Sequence, residues 1–145
     1  MKKKLLILPA VLALCAVALS QHGSSIVQGA FTASAGPAMY RGKWTARISS
    51  RTPNAAAGSW ILLNERNDIV LQGTWSARKS GTAWSGTWNA RVLHGGAYSG
   101  SWTATEPDSA SKTFADMLQT AVKSGAAGTW RSRGYGGEWR LTPAP

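Results

Sequence analysis

Chemistry-bearing side chains are scarce in this sequence. Its one cysteine, Cys15, stands inside an apolar N-terminal run, so from Gln21 onward there is no thiol to form a disulfide or hold a metal. Histidine occurs twice, at His22 and His94, and the six carboxylates Glu65, Asp68, Glu106, Asp108, Asp116 and Glu138 are scattered. No two acids have the spacing of a glycosidase pair, and no set of His and acids has that of a metal motif. The expectation is a protein that is not an enzyme and takes no metal or cofactor, with His94 a solvated turn residue. No long apolar run follows Leu19, so no transmembrane helix is expected after it.

The N-terminal run itself has a secretory pattern. Lys2, Lys3 and Lys4 precede an apolar stretch from Leu5 to Leu19, and Ala18-Leu19-Ser20 sets small residues before Gln21. Residues 1–20 therefore read as a cleaved signal peptide, and 21–145 as one domain located in the periplasm or secreted. Leu14 before Cys15 argues against lipidation, which needs a small residue there. With the three leader lysines set aside, thirteen cations face six acids, a formal charge of +7. That excess favours an anionic protein, polysaccharide or lipid headgroup as partner. Nucleic acid is not expected for an exported chain.

What is abundant is glycine, tryptophan and small polar residues, and they recur as one phrase. Glycine followed two residues later by an aromatic ring appears at Gly29/Phe31, Gly42/Trp44, Gly58/Trp60, Gly73/Trp75, Gly86/Trp88, Gly100/Trp102, Gly128/Trp130 and Gly137/Trp139. Tyr40, Trp84, Tyr98 and Tyr135 stand two residues before four of those glycines. A period of two is the period of a strand, whose alternate side chains leave the same face. Tyr40, Gly42, Trp44, Ala46 and Ile48 thus oppose Arg41, Lys43, Thr45 and Arg47, and Trp84, Gly86, Trp88, Ala90 and Val92 oppose Ser85, Thr87, Asn89 and Arg91. One face is apolar and the other hydroxylated and basic. A bare glycine beside an indole lets the ring lie across the neighbouring strand and lets the strand bend.

Turn signals separate the copies at Asn64–Asn67, Lys79–Gly81, His94–Gly96 and Arg133-Gly134. The step between Gly100 and Gly128 is the long one. It holds Phe114, Met117, Leu118, Ala121 and Val122 at helical spacing, which predicts a helix over about 109–123, with Asp108 or Ser109 at its start and Gly125 at its stop.

Eight strands with one apolar face bury it by closing on themselves or folding over. Even spacing and a glycine in each strand predict an all-β antiparallel meander closed or nearly closed into a barrel, with the helix inserted between strands six and seven. The tryptophans are expected to fill its interior as core. Gly42-Lys-Trp44 and Gly73-Thr-Trp75 each resemble the glycine-x-tryptophan phrase of the calycin superfamily, the lipocalins and avidins, which implies an eight-stranded ligand-binding barrel. Those families use the phrase once, and this chain repeats it in every strand, so no binding residue carries across.

Two binding surfaces follow. The outer cations Arg41, Lys43, Arg47, Arg78, Arg91, Arg131, Arg133 and Arg140 are candidates for contact with an anionic partner, the first reading being an interaction module that uses this face. The alternative is a small-ligand carrier, with Trp84, Tyr40, Tyr98 and Tyr135 as candidate ligand contacts. A small outer-membrane barrel is a third arrangement, in which the apolar face would meet lipid.

Overall fold

A computed structural model describes residues 23–81, 83–92, 94–105 and 113–142. The secretory segment 1–20, His22 and the expected helix start at Asp108 or Ser109 lie outside the described residues. Eight strands follow one another as β1 (Ser24–Ala35), β2 (Ala38–Ser49), β3 (Ala55–Leu63), β4 (Ile69–Ser80), β5 (Ala83–Arg91) and β6 (Ala97–Thr105), then, after the helix α1 (Phe114–Ser124), β7 (Ala126–Ser132) and β8 (Tyr135–Leu141). Each pairs antiparallel with the next and β8 returns to β1, closing the barrel. Closure gives every strand a neighbour on both sides.

The repeated phrase sets the register. Within each hairpin the two copies face each other reciprocally: Gly29 and Phe31 oppose Trp44 and Gly42, Gly58 and Trp60 oppose Trp75 and Gly73, and the same holds for β5/β6 and β7/β8. Between hairpins ring meets ring, as Trp44 opposite Trp60, Trp75 opposite Trp88, and Trp102 opposite Trp130. The indole position therefore steps by two residues per hairpin. The closing pair adds a further step, because Trp139 faces Ala33 where the repeat would place Phe31. The summed stagger exceeds the strand number, which widens the barrel.

The glycines do more than make room for rings. A Cβ on Gly58, Gly86 or Gly128 would lie 1.7–1.8 Å from the carbonyl oxygen of Thr45, Ser76 or Thr103 on the preceding strand. With no Cβ there, that carbonyl occupies the vacated space and accepts the indole N–H of the strand on the glycine's other side. Trp75 Nε1 donates to Thr45 O at 3.0 Å, Trp102 to Ser76 O at 2.9 Å and Trp139 to Thr103 O at 3.1 Å. Gly137 does the same between Trp130 and Ser34 O, 2.9 Å apart. At the β8/β1 closure the shifted register breaks the series: the Trp44 ring covers Gly29, but its buried N–H has no partner.

Short turns complete the meander. Ala35 pairs with Ala38 across Gly36-Pro37, with Gly36 at φ 57°. Asn64 Oδ1 accepts the N–H groups of Arg66 and Asp68 and folds the β3/β4 turn. The β7/β8 corner places Arg133 at φ 39° and Gly134 at φ 88°.

The helix plugs one end. Thr113, not Asp108 or Ser109, is its N-cap: its hydroxyl accepts from Asp116 N, and the Asp116 carboxylate accepts from Thr113 N. Gly125 follows as the expected stop. Phe114, Met117, Leu118 and Ala121 are buried against Trp84, Ala46, Ala56 and Ala77, and Phe114 N donates to Pro53 O in the β2/β3 connection at 2.8 Å. A register that puts small alanines at this end leaves space for the plug.

Candidate functional site

The side chains beyond the plug form a lined cavity. Rings from alternate strands meet edge to face, Trp60–Trp88–Trp130 from β3, β5 and β7, and Trp75–Trp102–Trp139 from β4, β6 and β8, with centroids 5.8–6.2 Å apart. Trp60 and Trp88 send their N–H groups to Thr74 O and Ser101 O in the wall, as Trp75, Trp102, Trp130 and Trp139 do to their own acceptors. Each of these six rings is therefore tethered to the sheet and held along it.

This arrangement corrects the expectation of a filled interior. Pinned against the wall, the indoles leave the axis open, and a cavity of about 570 Å³ remains inside the barrel. The six tethered indoles are half-buried because their inner surfaces border that space. Its lining is almost wholly apolar: Phe31, Leu62, Leu71 and the indoles form the sides, Phe114 and Leu118 of α1 form the floor, and Tyr40 lies toward the hairpin end. The volume falls within the range of small-ligand sites, about 300–1,000 Å³.

The four candidate ligand contacts separate. Tyr40 lines the cavity, while Tyr98 (53% exposed) and Tyr135 (78% exposed) stand at the hairpin end. Leu71 holds the equivalent place on β4, four residues before the strand's tryptophan. Trp84 is at the other end, 0% exposed, its ring 5.0 Å from that of Phe114 and 5.8 Å from Lys79 Nζ, so it offers no surface to a ligand entering the mouth. Alternation along the strand could not separate Trp84 from the tyrosines, because it sets the face and not the end.

The candidate cations are all exposed on the outside of the barrel or its turns. They do not stack across strands: Arg41 faces Thr32 and Leu63, Lys43 faces Ala30 and Ile61, Arg47 faces Ile26 and Ala57, and Arg78 faces Ala55 and Ser85. Arg91 lies opposite Gln72 and Ala97, Arg131 opposite Ser101 and Gly136, and Arg140 opposite Thr32 and Ala127, while Arg133 is in a turn. Between them hydroxyls bond across strands, Thr45 to Ser59 at 2.8 Å, Ser76 to Thr87 at 2.9 Å and Thr103 to Thr129 at 3.0 Å. The outside thus mixes arginine, lysine, serine and threonine with Ile26, Ile61 and Leu63, while the indoles face inward.

Among the described residues no group of three or more His, Asp or Glu is placed to hold a metal, and no helix is long and apolar enough to cross a membrane. The fold and the cavity thus define a closed eight-stranded antiparallel barrel with an aromatic-lined interior. Compared with known protein families, curated proteins and solved structures, the chain matches none.

Proposed function

We propose that this protein binds a small apolar molecule inside the barrel, acting as a carrier and not as a catalyst, in the periplasm or outside the cell. The observation that supports the reading is the cavity itself. Its wall is aromatic and aliphatic, and the N–H groups of Trp60, Trp75, Trp88, Trp102, Trp130 and Trp139 are turned into the sheet. Such a lining gains by displacing water with hydrocarbon or an aromatic ring, at about 25 cal/mol for each Å² of apolar surface covered. The export reading rests on the Lys2–Lys4 and Leu5–Leu19 pattern of the sequence.

The test is titration with N-phenyl-1-naphthylamine, a neutral apolar fluorophore, read by energy transfer from the indoles. One saturable site is expected. Leu71→Trp sets a large ring among the lining side chains and is expected to weaken the dye about ten-fold without loss of folded signal. Absence of saturable binding to the folded protein, or binding indifferent to Leu71→Trp, would overturn the carrier reading.

A further inference from the structure

We infer that the ligand is a single-chain amphiphile with an anionic head, its hydrocarbon chain in the ring of indoles and its head at the hairpin end of the barrel. The inference rests on the cavity being the binding site and adds the chemistry of what it takes.

The interior fixes the chain. With α1 forming the floor, the opposite end, built by the β1/β2, β3/β4, β5/β6 and β7/β8 hairpins, is the way in. A hydrogen-bonding group carried deep inside would give up water and meet six indole donors already committed to wall carbonyls, while the unpartnered N–H of Trp44 is buried over Gly29 in the wall, so the exchange is unfavourable. Hydrocarbon makes no such demand.

The rim fixes the head. Each of the four hairpins at that end carries a guanidinium: Arg41 near the start of β2, Arg66 in the β3/β4 turn, Arg91 at the end of β5 and Arg133 in the β7/β8 corner. Arg41 donates to Asn67 Oδ1 at 3.2 Å, which ties it to the neighbouring turn. Among the described residues the acids of these hairpin turns, Glu65 and Asp68, are both in the β3/β4 turn, where Asp68 lies 3.8 Å from Arg66 and accepts from Asn64. The β1/β2 and β5/β6 hairpins therefore present cation without a described acid. In β7/β8 the described acid is Glu138, the fourth residue of β8 and 3.8 Å from Arg140, which leaves Arg133 at the corner; the exposed phenols of Tyr98 and Tyr135 stand on the last two hairpins. A negative head gains from that field, and a positive one is repelled.

The experiment displaces N-phenyl-1-naphthylamine from the full-length folded protein with dodecanoate, dodecyl phosphate, dodecanol and dodecyltrimethylammonium, each below its micelle threshold. Dodecanoate and dodecyl phosphate are expected to displace the dye at about ten-fold lower concentration than dodecanol, and the ammonium to be weakest. Raising the salt from about 20 mM to about 500 mM is expected to shrink that gap, since exposed charges are screened. The double variant Arg91→Gln/Arg133→Asn is expected to lose most of the preference while binding the neutral dye as before. If dodecanol or the ammonium displaces the dye as well as the anions do, or if no chain displaces bound dye, the anionic head is overturned and the carrier reading stands. If the dye itself does not bind, both fall.

Discussion

The glycine before each inward ring matters for what its missing Cβ leaves free. At Gly86 a methyl group would lie 1.7 Å from Ser76 O and 2.8 Å from Trp102 Nε1, so the carbonyl and the indole it serves would both have to move. Gly86→Ala is expected to cost more than about 3 kcal/mol in urea unfolding, since strand repositioning adds to ordinary overpacking. Gly96 is the contrast: nothing lies within 4 Å of its absent Cβ and its φ is not positive, so Gly96→Ala is expected to be neutral or to stabilise by up to about 1 kcal/mol. Equal effects at the two positions would remove the steric argument. Arg133 sits at φ 39° before Gly134, where a two-residue turn of this hand favours asparagine-glycine. Arg133→Asn is therefore expected to raise the thermal midpoint slightly, by no more than about 1 kcal/mol of stability.

Elements differ in how firmly they are held. Among the described residues β1 pairs with β8 through Phe31, Thr32 and Ala33, extended by Thr142 N donating to Ala30 O at 3.4 Å, whereas β1 pairs with β2 from Ser24 to Ala35. Hydrogen exchange of the amides on the two sides of β1 is expected to be faster on the β8 side, with the β8/β1 closure opening before the hairpins. Slower exchange there than in β3/β4 would show that the closing hydroxyl of Ser34, which accepts from Glu138 N at 2.9 Å, compensates for the short ladder. The helix hangs on its cap, and Thr113→Ala is expected to cost about 1 kcal/mol by chemical denaturation. Its place in the chain was legible from Phe114, Met117, Leu118 and Ala121, all of which are buried. Its start was not, because Asp108, Ser109 and Thr113 are all residue types that cap, and only the reciprocal bonds with Asp116 single out Thr113.

At the scale of the molecule, one pattern is used twice, once to close the sheet and once to line its interior. The floor is as much a part of the site as the wall. Phe114, 2% exposed, packs on Trp75 and Trp84 at 5.7 and 5.0 Å, and Phe114→Ala is expected to cost about 3–5 kcal/mol and to weaken dye binding. Destabilisation with unchanged dye affinity would place the bound molecule away from the plug.

The sequence by itself determined the strands, the inward face, the meander and the helix between β6 and β7, because strand periodicity and turn chemistry are local and each glycine-aromatic copy repeats them. It did not determine whether the rings meet at the axis. That depends on the register between strands, on the extra step where β8 meets β1, and on carbonyls that take the indole N–H groups and hold the rings to the wall. These are relations among residues far apart in the chain, and only the closed barrel brings them together.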